Sequence, residues 1–350
     1  MKPVNMKRYI GVFIFLLTIC WSEIRAQDAQ FSQYYAAPLY LNPGFTGTTK
    51  QHRFISNFRT QWPSISQTYV TFAASYDHFK PSLNSGFGFL ASTDKAGSAD
   101  LRSTNIAALY SYKVQLAEKW VVSPGVYIGY GVRDLNFNKL VFGDQLDITD
   151  NRIFDDTIDP IRNAFNNTSY FDFGSGIVVY NEKFWGGFSI YHMNEPNHSL
   201  LDEESILPMK YSLHAGVRIQ LYNGPIKKDK EASIAPSFIY KKQGKFDQLD
   251  LGLHFRYDPI IAGFWYRGIP VQQNIGDNVN QDAITFMFGL RYKQFEFGYS
   301  FDMTVSNLAA NTGGAHEFAL NYQWANVDDG KHRKKRKEKF IPCPTFSNRE

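Results

Sequence analysis

The stretch TFMFGLRYKQFEFGYSFD, residues 285–302, decides the fold because its large apolar residues alternate without interruption through a turn. Phe286 and Phe288 share one face of the first half, and Phe297 and Tyr299 continue that face after a two-residue turn. Residues that flank such a turn point the same way, so the pattern predicts one β-hairpin with one apolar side. The opposite side carries small and charged residues. What covers the aromatic side is the question that the rest of the sequence must answer.

The same alternation recurs along the chain and predicts fourteen strands, each of a length that crosses a bilayer when tilted. The predicted strands lie near residues 53–62, 67–77, 85–93, 102–114, 119–132, 169–180, 184–193, 209–220, 232–242, 247–257, 260–268, 282–293, 295–305 and 314–325.

The connections between these strands alternate in length. Residues 133–168, 194–208 and 269–281 are long odd-numbered connections, whereas most even-numbered ones are tight turns such as Asp258-Pro259. Short turns on one side and long loops on the other are typical of outer-membrane barrels. A soluble β-sandwich has no reason to sort its connections in this way.

The aromatic content, 16% of 350 residues, leaves two interpretations of the apolar faces. In a soluble barrel or sandwich they form a core, but fourteen strands enclose a space wider than side chains can fill. In a membrane, lipid covers the aromatic face and the charged face lines the lumen. The pattern therefore favours an all-β fold, a 14-stranded antiparallel transmembrane barrel over residues 51–325.

The first 26 residues have the form of a signal peptide, with a basic start, the apolar stretch YIGVFIFLLTICW and a cleavage position after Ala26. The alternatives are a retained helical anchor and a lipoprotein acylated at Cys20, although Ile19 is bulky for the latter. Removal of Cys20 leaves Cys343 as the one thiol of the mature chain, which excludes an internal disulfide.

Residues 27–50 precede the first predicted strand and are too aromatic for a free linker. We expect this segment to be either a plug that folds into the lumen or a periplasmic segment. The residues expected to form the plug are aromatic or turn-forming: Phe31, Tyr34, Tyr35, Tyr40, Asn42 and Pro43.

The polar faces of the strands supply charged and histidine side chains that we expect to line the lumen: His214, Arg218, Asp250, His254, Arg256, Arg267, Arg291 and Glu296. A lumenal hydrolase is the alternative, but the chain contains no G-x-S-x-G, H-E-x-x-H or P-loop motif. We expect these charges to pair with one another and to stabilise the barrel wall, with no cofactor and no catalytic residue.

The connection 133–168 contains seven Asp residues against four Arg and Lys. Its carboxylates suggest a calcium site, but their spacing fits no EF-hand, and a solvated acidic loop is the simpler interpretation.

Residues 326–350 form a basic tail, which the strand count places on the periplasmic side, as it does the mature N-terminus. It is either a solvated tail or a docking element for an acidic periplasmic protein, and it lacks the aromatic platform of a nucleic-acid site. The candidate docking residues are Lys331, Arg333, Lys334, Lys335, Arg336, Lys337, Lys339 and Cys343.

Seven stretches occur in an order that resembles the PorP/SprF family of the Bacteroidota type IX secretion system. They are QFSQYYAAPLYLNPGFTG (30–47), FRTQWPSI (58–65), LVFGDQLD (140–147), GFSIYHMNEPN (187–197), LPMKYSLHAGVR (207–218), GLHFRYDPIIAGFWYRG (252–268) and GGAHEFALNY (313–322).

The resemblance implies a non-enzymatic outer-membrane barrel that supports the secretion machinery and, in some members, the secretion or surface attachment of gliding adhesins. Its implied partners are the periplasmic ring lipoprotein with its associated subunit, or a secreted cargo. A solute channel with an N-terminal hatch remains the alternative from a different class.

Overall fold

The computed structural model describes residues 28–65, 68–97, 99–116, 119–136, 139–147, 152–153, 157–159, 167–201, 204–223, 231–273, 279–305, 312–324 and 341–344. The predicted signal peptide and the basic residues 331–339 lie outside the described residues.

Fourteen long strands run through the described chain. They are β1 (His52–Gln61), β2 (Tyr69–Lys80), β3 (Ser85–Ala96), β4 (Leu101–Tyr112), β5 (Trp120–Asp134), β6 (Thr168–Tyr180), β7 (Phe184–Tyr191), β8 (Lys210–Val217), β9 (Glu231–Gln243), β10 (Phe246–Tyr257), β11 (Ile260–Gln273), β12 (Val279–Tyr292), β13 (Phe295–Thr304) and β14 (Ala315–Trp324).

The smaller elements are short. Val114–Leu116 prolongs the pairing of β4 with β5, and Ile219–Asn223 prolongs that of β8 with β9. Leu146–Asp147 pairs with Arg152–Ile153 in a separate two-stranded ladder. One α-helical turn, α1 (Pro38–Leu41), and four 3₁₀ turns complete the described elements: Tyr34–Ala36, Pro43–Phe45, Pro81–Leu83 and Gly143–Gln145.

The strands form one closed antiparallel barrel. Each strand pairs with its neighbours in sequence, and the circle closes where β1 pairs with β14, from His52↔Trp324 to Gln61↔Ala315. Closure gives the backbone groups of every strand a partner, which a spanning sheet needs because lipid offers no hydrogen bonds. The predicted 14-stranded antiparallel barrel is confirmed.

The opening hairpin shows which side faces outward. Phe288 on β12 pairs with Tyr299 on β13, and their side chains are 55% and 37% exposed. The alternate pair, Met287 and Ser300, is buried inside at 5% and 0% exposure. The predicted phase through the turn is therefore correct, and the aromatic face lies on the outside of the barrel.

An apolar exterior of this extent has the character of a surface that lipid covers. Large apolar side chains are exposed on strands all round the sheet, among them Phe72, Phe89, Ile128, Phe171, Leu213, Leu251, Phe264 and Phe318. Soluble monomers rarely expose contiguous apolar patches larger than a few hundred Å². Among the described residues, no helix has both the length and the apolar character needed to cross a membrane.

Most connections sort by length as predicted, which gives the barrel two distinct ends. The short connections 97–100 and 244–245 are exceptions at the long-loop end. The short-turn end carries the connections 81–84, 181–183, 258–259 and 293–294. The long-loop end carries 135–167 and 192–209. The connection predicted at 269–281 is shorter, because β11 and β12 continue to Gln273 and Val279 through irregular pairing.

The outward orientation of Phe288 leads to a test of the membrane face. Phe288→Arg should lower the free energy of unfolding in phospholipid vesicles by roughly 2–4 kcal/mol, because it places a charge in the apolar band. Phe288→Leu, which keeps an apolar side chain there, is the matched control. Urea titration of the folded barrel measures both, and an equal loss for Arg and Leu would contradict lipid exposure of this face.

Candidate functional site inside the barrel

The barrel interior is occupied by the N-terminal segment, which we define as residues 28–49. Pro38 and Pro43 open two of its turns, where a missing N–H costs nothing. The Asn42 side chain caps the second of these by accepting a hydrogen bond from Gly44 N at 2.8 Å. The segment is thus a chain of compact turns without a regular helix or strand longer than four residues.

Hydrogen bonds connect this segment to strands on all sides of the barrel. Glu317 of β14 accepts the Ser32 amide at 2.7 Å. Asn42 Nδ2 donates to backbone oxygens of β6 and β7 at 3.2 and 3.1 Å. Asp77 of β2 accepts the Gly47 amide at 2.6 Å. A closed sheet that is contacted from opposite sides by one segment must contain it.

Glycines on two strands let the segment approach the wall closely. A β-carbon at Gly125 of β5 would lie 2.5 Å from the carbonyl carbon of Pro43. One at Gly176 of β6 would overlap the Asn42 side-chain oxygen. Real β-carbons do not come this near, so the wall and the N-terminal segment fit only because these positions carry no side chain.

A cluster of four charged side chains, which we call the central cluster, anchors the start of the segment. It consists of Arg59, Arg267, Asp302 and Glu317. Arg59 lies 2.8 Å from Asp302 and 3.4 Å from Glu317, and Arg267 lies 3.2 Å from Asp302. Asp250 also lies 3.4 Å from Arg267 and 3.5 Å from Lys241, so three cations and three anions balance in the connected network. A buried network requires this balance because an unpaired buried charge is costly.

Ser32 completes the central cluster from the N-terminal segment. Its hydroxyl donates to Asp302 at 2.6 Å and accepts from Arg59 and Arg267, each at 2.7 Å. The neighbouring Gln33 donates its backbone N–H to Glu317 at 3.1 Å. The segment is therefore part of the charge network and does not merely fill space beside it.

The eight side chains predicted for the lumen all make interior contacts. His214 lies 3.1 Å from Asn42 Nδ2 and stacks on Phe45 with ring centres 5.1 Å apart. His254 packs against the rings of Tyr34 and Tyr35 at 5.7 and 4.9 Å. The charged members pair as Asp250–Arg267, Arg256–Glu296 and Arg291–Glu296, and Arg218 donates to Pro344 O.

The six N-terminal residues that the sequence singled out lie in the same interior. Phe31 and Tyr40 pack edge to face at 5.2 Å, and the Tyr34 hydroxyl lies 2.8 Å from that of Ser237 on β9. Tyr35 donates to the Gln33 side chain at 3.0 Å. Asn42 and Pro43 form the turn that meets Gly125 and Gly176.

Several interior charges were missed by the sequence-based list, including Arg53, Arg59, Asp77 and Lys113. Arg53 and Asp77 pair at 2.8 Å with 0% and 1% of their side chains exposed. Lys113 donates to Thr46 O and to the hydroxyls of Ser111 and Ser123. For β1, the sequence pattern could have identified these residues, because Arg53 and Arg59 lie on the face opposite to the outward Phe54 and Phe58.

The first described residue, Asp28, is held at the long-loop end. Its carboxylate lies 2.8 Å from His192 Nε2 and 3.0 Å from Lys210 Nζ. Burial alone would raise the pKa of Asp28, but Lys210 and His192 hold it well below its usual range. Burial likewise opposes the charged His192 ring, but Asp28 and Asp172 outweigh it and raise the pKa of His192 to about 9.

The C-terminal residues 341–344, which we call the C-terminal anchor, are packed at the short-turn end. The Cys343 amide donates to Thr48 O at 3.3 Å, and its side chain has no exposed surface. Ile341 is 4% exposed. Burial of Cys343 corrects the expectation that groups it with the basic docking residues, because a partner protein has no access to its thiol.

The two described ends of the chain therefore lie at opposite ends of the barrel. Asp28 is at the long-loop end, whereas Thr48 and the C-terminal anchor are at the short-turn end. The expectation that the N- and C-termini are both periplasmic stays a prediction. The N-terminal segment runs between the two ends of the lumen before β1 begins.

Among the described residues, no group of three or more His, Cys, Asp or Glu side chains is suited to hold a metal ion. In the Asp-rich connection, Asp144 accepts hydrogen bonds from Thr157 and the Ile158 amide. Three further carboxylates of that connection, those of Asp150, Asp155 and Asp156, lie outside the described residues, so the calcium hypothesis stays a prediction.

Comparison with known proteins points to one family. The family model for the type IX secretion system membrane protein PorP/SprF matches residues 24–322. Among curated proteins, none matches significantly.

Solved structures give weaker likenesses. Two engineered variants of the Rh. blastica porin are 6% and 7% identical, with 78% of this chain and 99% of theirs covered and TM-scores of 0.33. A protein from a study of in-meso crystallization of membrane proteins is 9% identical, with 78% and 84% coverage and a TM-score of 0.37. Scores this low carry no weight for fold or function.

The burial of Cys343 predicts strong protection from thiol reagents. In the folded barrel in detergent micelles, maleimide should label Cys343 far more slowly than in urea, where it should react fully. The matched control is Ser82→Cys in a Cys343→Ser background, because the turn Pro81–Leu83 is exposed. Equal labelling rates for the two thiols in the folded protein would show that the anchor is not seated as described.

The Asp28–His192 pair predicts a pH-dependent contribution to stability. Because the pKa of His192 rises from 6.5 to about 9, its contribution is complete below pH 6.5 and is lost as the pH rises through 9. The fall in melting temperature between pH 6.5 and pH 10 should therefore be smaller in His192→Asn than in the unaltered protein. His316→Asn, on the outer side, is the control, and identical falls in all three proteins would refute the contribution.

Proposed function

We propose that this chain, which belongs to the PorP/SprF family of type IX secretion system membrane proteins, acts in the outer membrane as a filled barrel that binds other proteins. Its role is non-enzymatic. Its partners are the periplasmic ring lipoprotein with its associated subunit, or a secreted cargo such as a gliding adhesin, as the family resemblance implies.

The observation that carries this proposal is the filled lumen. The N-terminal segment contacts β2, β6, β7, β9 and β14, and the C-terminal anchor adds a second layer at the short-turn end. Among the described residues, a lumen occupied in this way supports a closed barrel over the open aqueous channel of a porin. The N-terminal segment therefore serves as a plug, and the working surfaces are the two ends.

Loop lengths support an orientation for these ends. Outer-membrane barrels keep short turns in the periplasm and long loops outside. The short-turn end, with the C-terminal anchor, would then face the periplasmic partners, and Asp28 would lie at the cell surface. Trp324 and Cys343, which flank the basic residues 331–339 in the sequence, both lie at the short-turn end, and this supports the basic run as the element that meets a periplasmic partner.

The test of the periplasmic contact is a pull-down of tagged protein from outer membranes with mass spectrometry. Changing the seven Lys and Arg residues of 331–339 to Gln should reduce recovery of ring components, because it removes the charge that would attract an acidic surface. The C-terminal anchor stays intact in this variant, so the lumen is undisturbed.

The control variant carries Lys139→Gln, Lys242→Gln and Lys245→Gln, which lie at or near the long-loop end. It should recover the same partners as the unaltered protein. Unchanged recovery from the first variant would remove the basic run from the interface, and a barrel recovered without any secretion component would overturn the interaction proposal.

The channel alternative is tested by conductance in planar bilayers. The unaltered protein should be electrically silent, and a variant lacking residues 28–37 should show stepwise currents, because the plug and its bonds to the central cluster are gone. Heat-modifiable mobility in gels verifies that both proteins are folded. Ion-selective currents from the unaltered protein would favour the solute channel.

A further inference from the structure

We propose that a cavity at the long-loop end is a binding site for a neutral saccharide unit, a role separate from protein docking. The cavity has a volume of about 110 Å³ and lies between the N-terminal segment and the strands β2–β8. None of the contacts described above for the central cluster or the C-terminal anchor involves it.

Aromatic rings form the floor of this cavity. Tyr127 and Tyr191 meet edge to face with ring centres 5.1 Å apart, and Tyr40 lines the side toward the N-terminal segment. Tyr191 is fixed by its hydroxyl, which donates to Leu39 O at 3.0 Å, and Tyr40 by its hydroxyl bond to Ala29 O at 2.7 Å. Rigid ring faces of this kind pack well against the C–H groups of a sugar ring.

The wall above the floor presents polar atoms that lack partners among the described residues. Asp172 is 2% exposed. One of its carboxylate oxygens lies 3.0 Å from His192 Nδ1, whereas the other, Oδ1, has no hydrogen-bond partner among the described residues. Arg133 Nε, also buried, donates to no atom. An unmatched acceptor and donor in one wall are costly unless a bound molecule satisfies them.

These unmatched atoms favour a ligand whose groups both donate and accept. A sugar hydroxyl does both, as do the Ser92 and Ser103 hydroxyls that also line the wall. Asn105 adds an amide, whose oxygen lies 3.5 Å from the Tyr170 hydroxyl. The lining therefore suits several hydroxyls on one small molecule.

The charges of the lining select against ions. Three carboxylates and three cations line the cavity: Asp28, Asp94 and Asp172; Arg133, His192 and Lys210. His198, also in the lining, stays neutral at pH 7 because burial and Arg133 lower its pKa to about 4. Since the formal charges of the lining cancel, a cation or anion that entered the cavity would lose its hydration without gaining a net electrostatic attraction in return.

The volume fits one sugar ring. A water molecule needs roughly 10–15 Å³ of comparable space, so a cavity of about 110 Å³ holds several waters, which one pyranose unit replaces. His198 and Leu207 of the connection 192–209 also line the cavity, so the long-loop end is the side from which such a unit would enter.

The test uses saturation-transfer NMR on the full mature protein in detergent micelles, with glucose, glucosamine and glucuronate as probes. These three share one ring and differ in charge. Glucose should bind more tightly than either ion by about tenfold, because each ion would bury an uncompensated charge. Mannose and N-acetylglucosamine are two further neutral sugars to be tested in the same way.

Variants connect the signal to the cavity. Asp172→Asn should weaken glucose binding and shift the preference toward glucuronate, an effect that a purely structural role would not produce. Ser92→Phe should abolish glucose binding because the larger side chain fills the cavity. If this variant does not fold, Asn105→Leu is the variant to test in its place. Glu195→Gln, an exposed change in the connection 192–209, should bind as the unaltered protein does.

Three outcomes would overturn the proposal. They are the absence of a signal from every neutral sugar, tighter binding of glucosamine or glucuronate by the unaltered protein, and glucose binding that is unaffected by Asp172→Asn and by the filling variants. Because none of these readouts involves a secretion partner, failure here leaves the proposed protein-docking function untouched.

Discussion

The width of the barrel is the constraint on which the rest of the structure depends. Eight strands leave an interior that wall side chains can just fill, and fourteen leave far more. A lumen of that size must hold water, protein or both, and in this molecule the N-terminal segment occupies a large part of it. Three features follow from the need to fill this space. They are the compact turns of the N-terminal segment, the wall glycines that let the segment approach and the buried charges that bind it.

Charge neutrality inside the barrel follows from that filling. Where the segment excludes water, each interior charge needs an opposite charge within a few ångströms or several hydrogen bonds, because an unsatisfied buried charge costs several kcal/mol. Arg53 with Asp77 and the four members of the central cluster meet this need. Lys113 meets it differently, through backbone and hydroxyl oxygens. The polar faces of the strands are thus built for this particular occupant.

Sequence patterns were sufficient to predict the strands of the barrel wall. They were insufficient to predict the contacts of the segments packed inside it. Alternation has a period of two, so residues such as Phe288 and Met287 could be assigned to opposite faces from the sequence. The bond from Glu317 to Ser32 joins residues 285 positions apart and leaves no periodic trace. The burial of Cys343 was missed for the same reason, because a few apolar residues after a basic run read as a tail. Gly125 and Gly176 were visible in the sequence, but their purpose depends on the path of another segment.

The seam between β1 and β14 also sets an order of events during biogenesis. Glu317, which holds the backbone of Ser32 and Gln33, belongs to the last strand of the barrel. The first residues of the mature chain therefore cannot reach their final positions until the last strand has arrived, and they must already be inside when the seam closes. Placement of the N-terminal segment and closure of the seam between β1 and β14 are therefore coupled steps in the folding of this barrel.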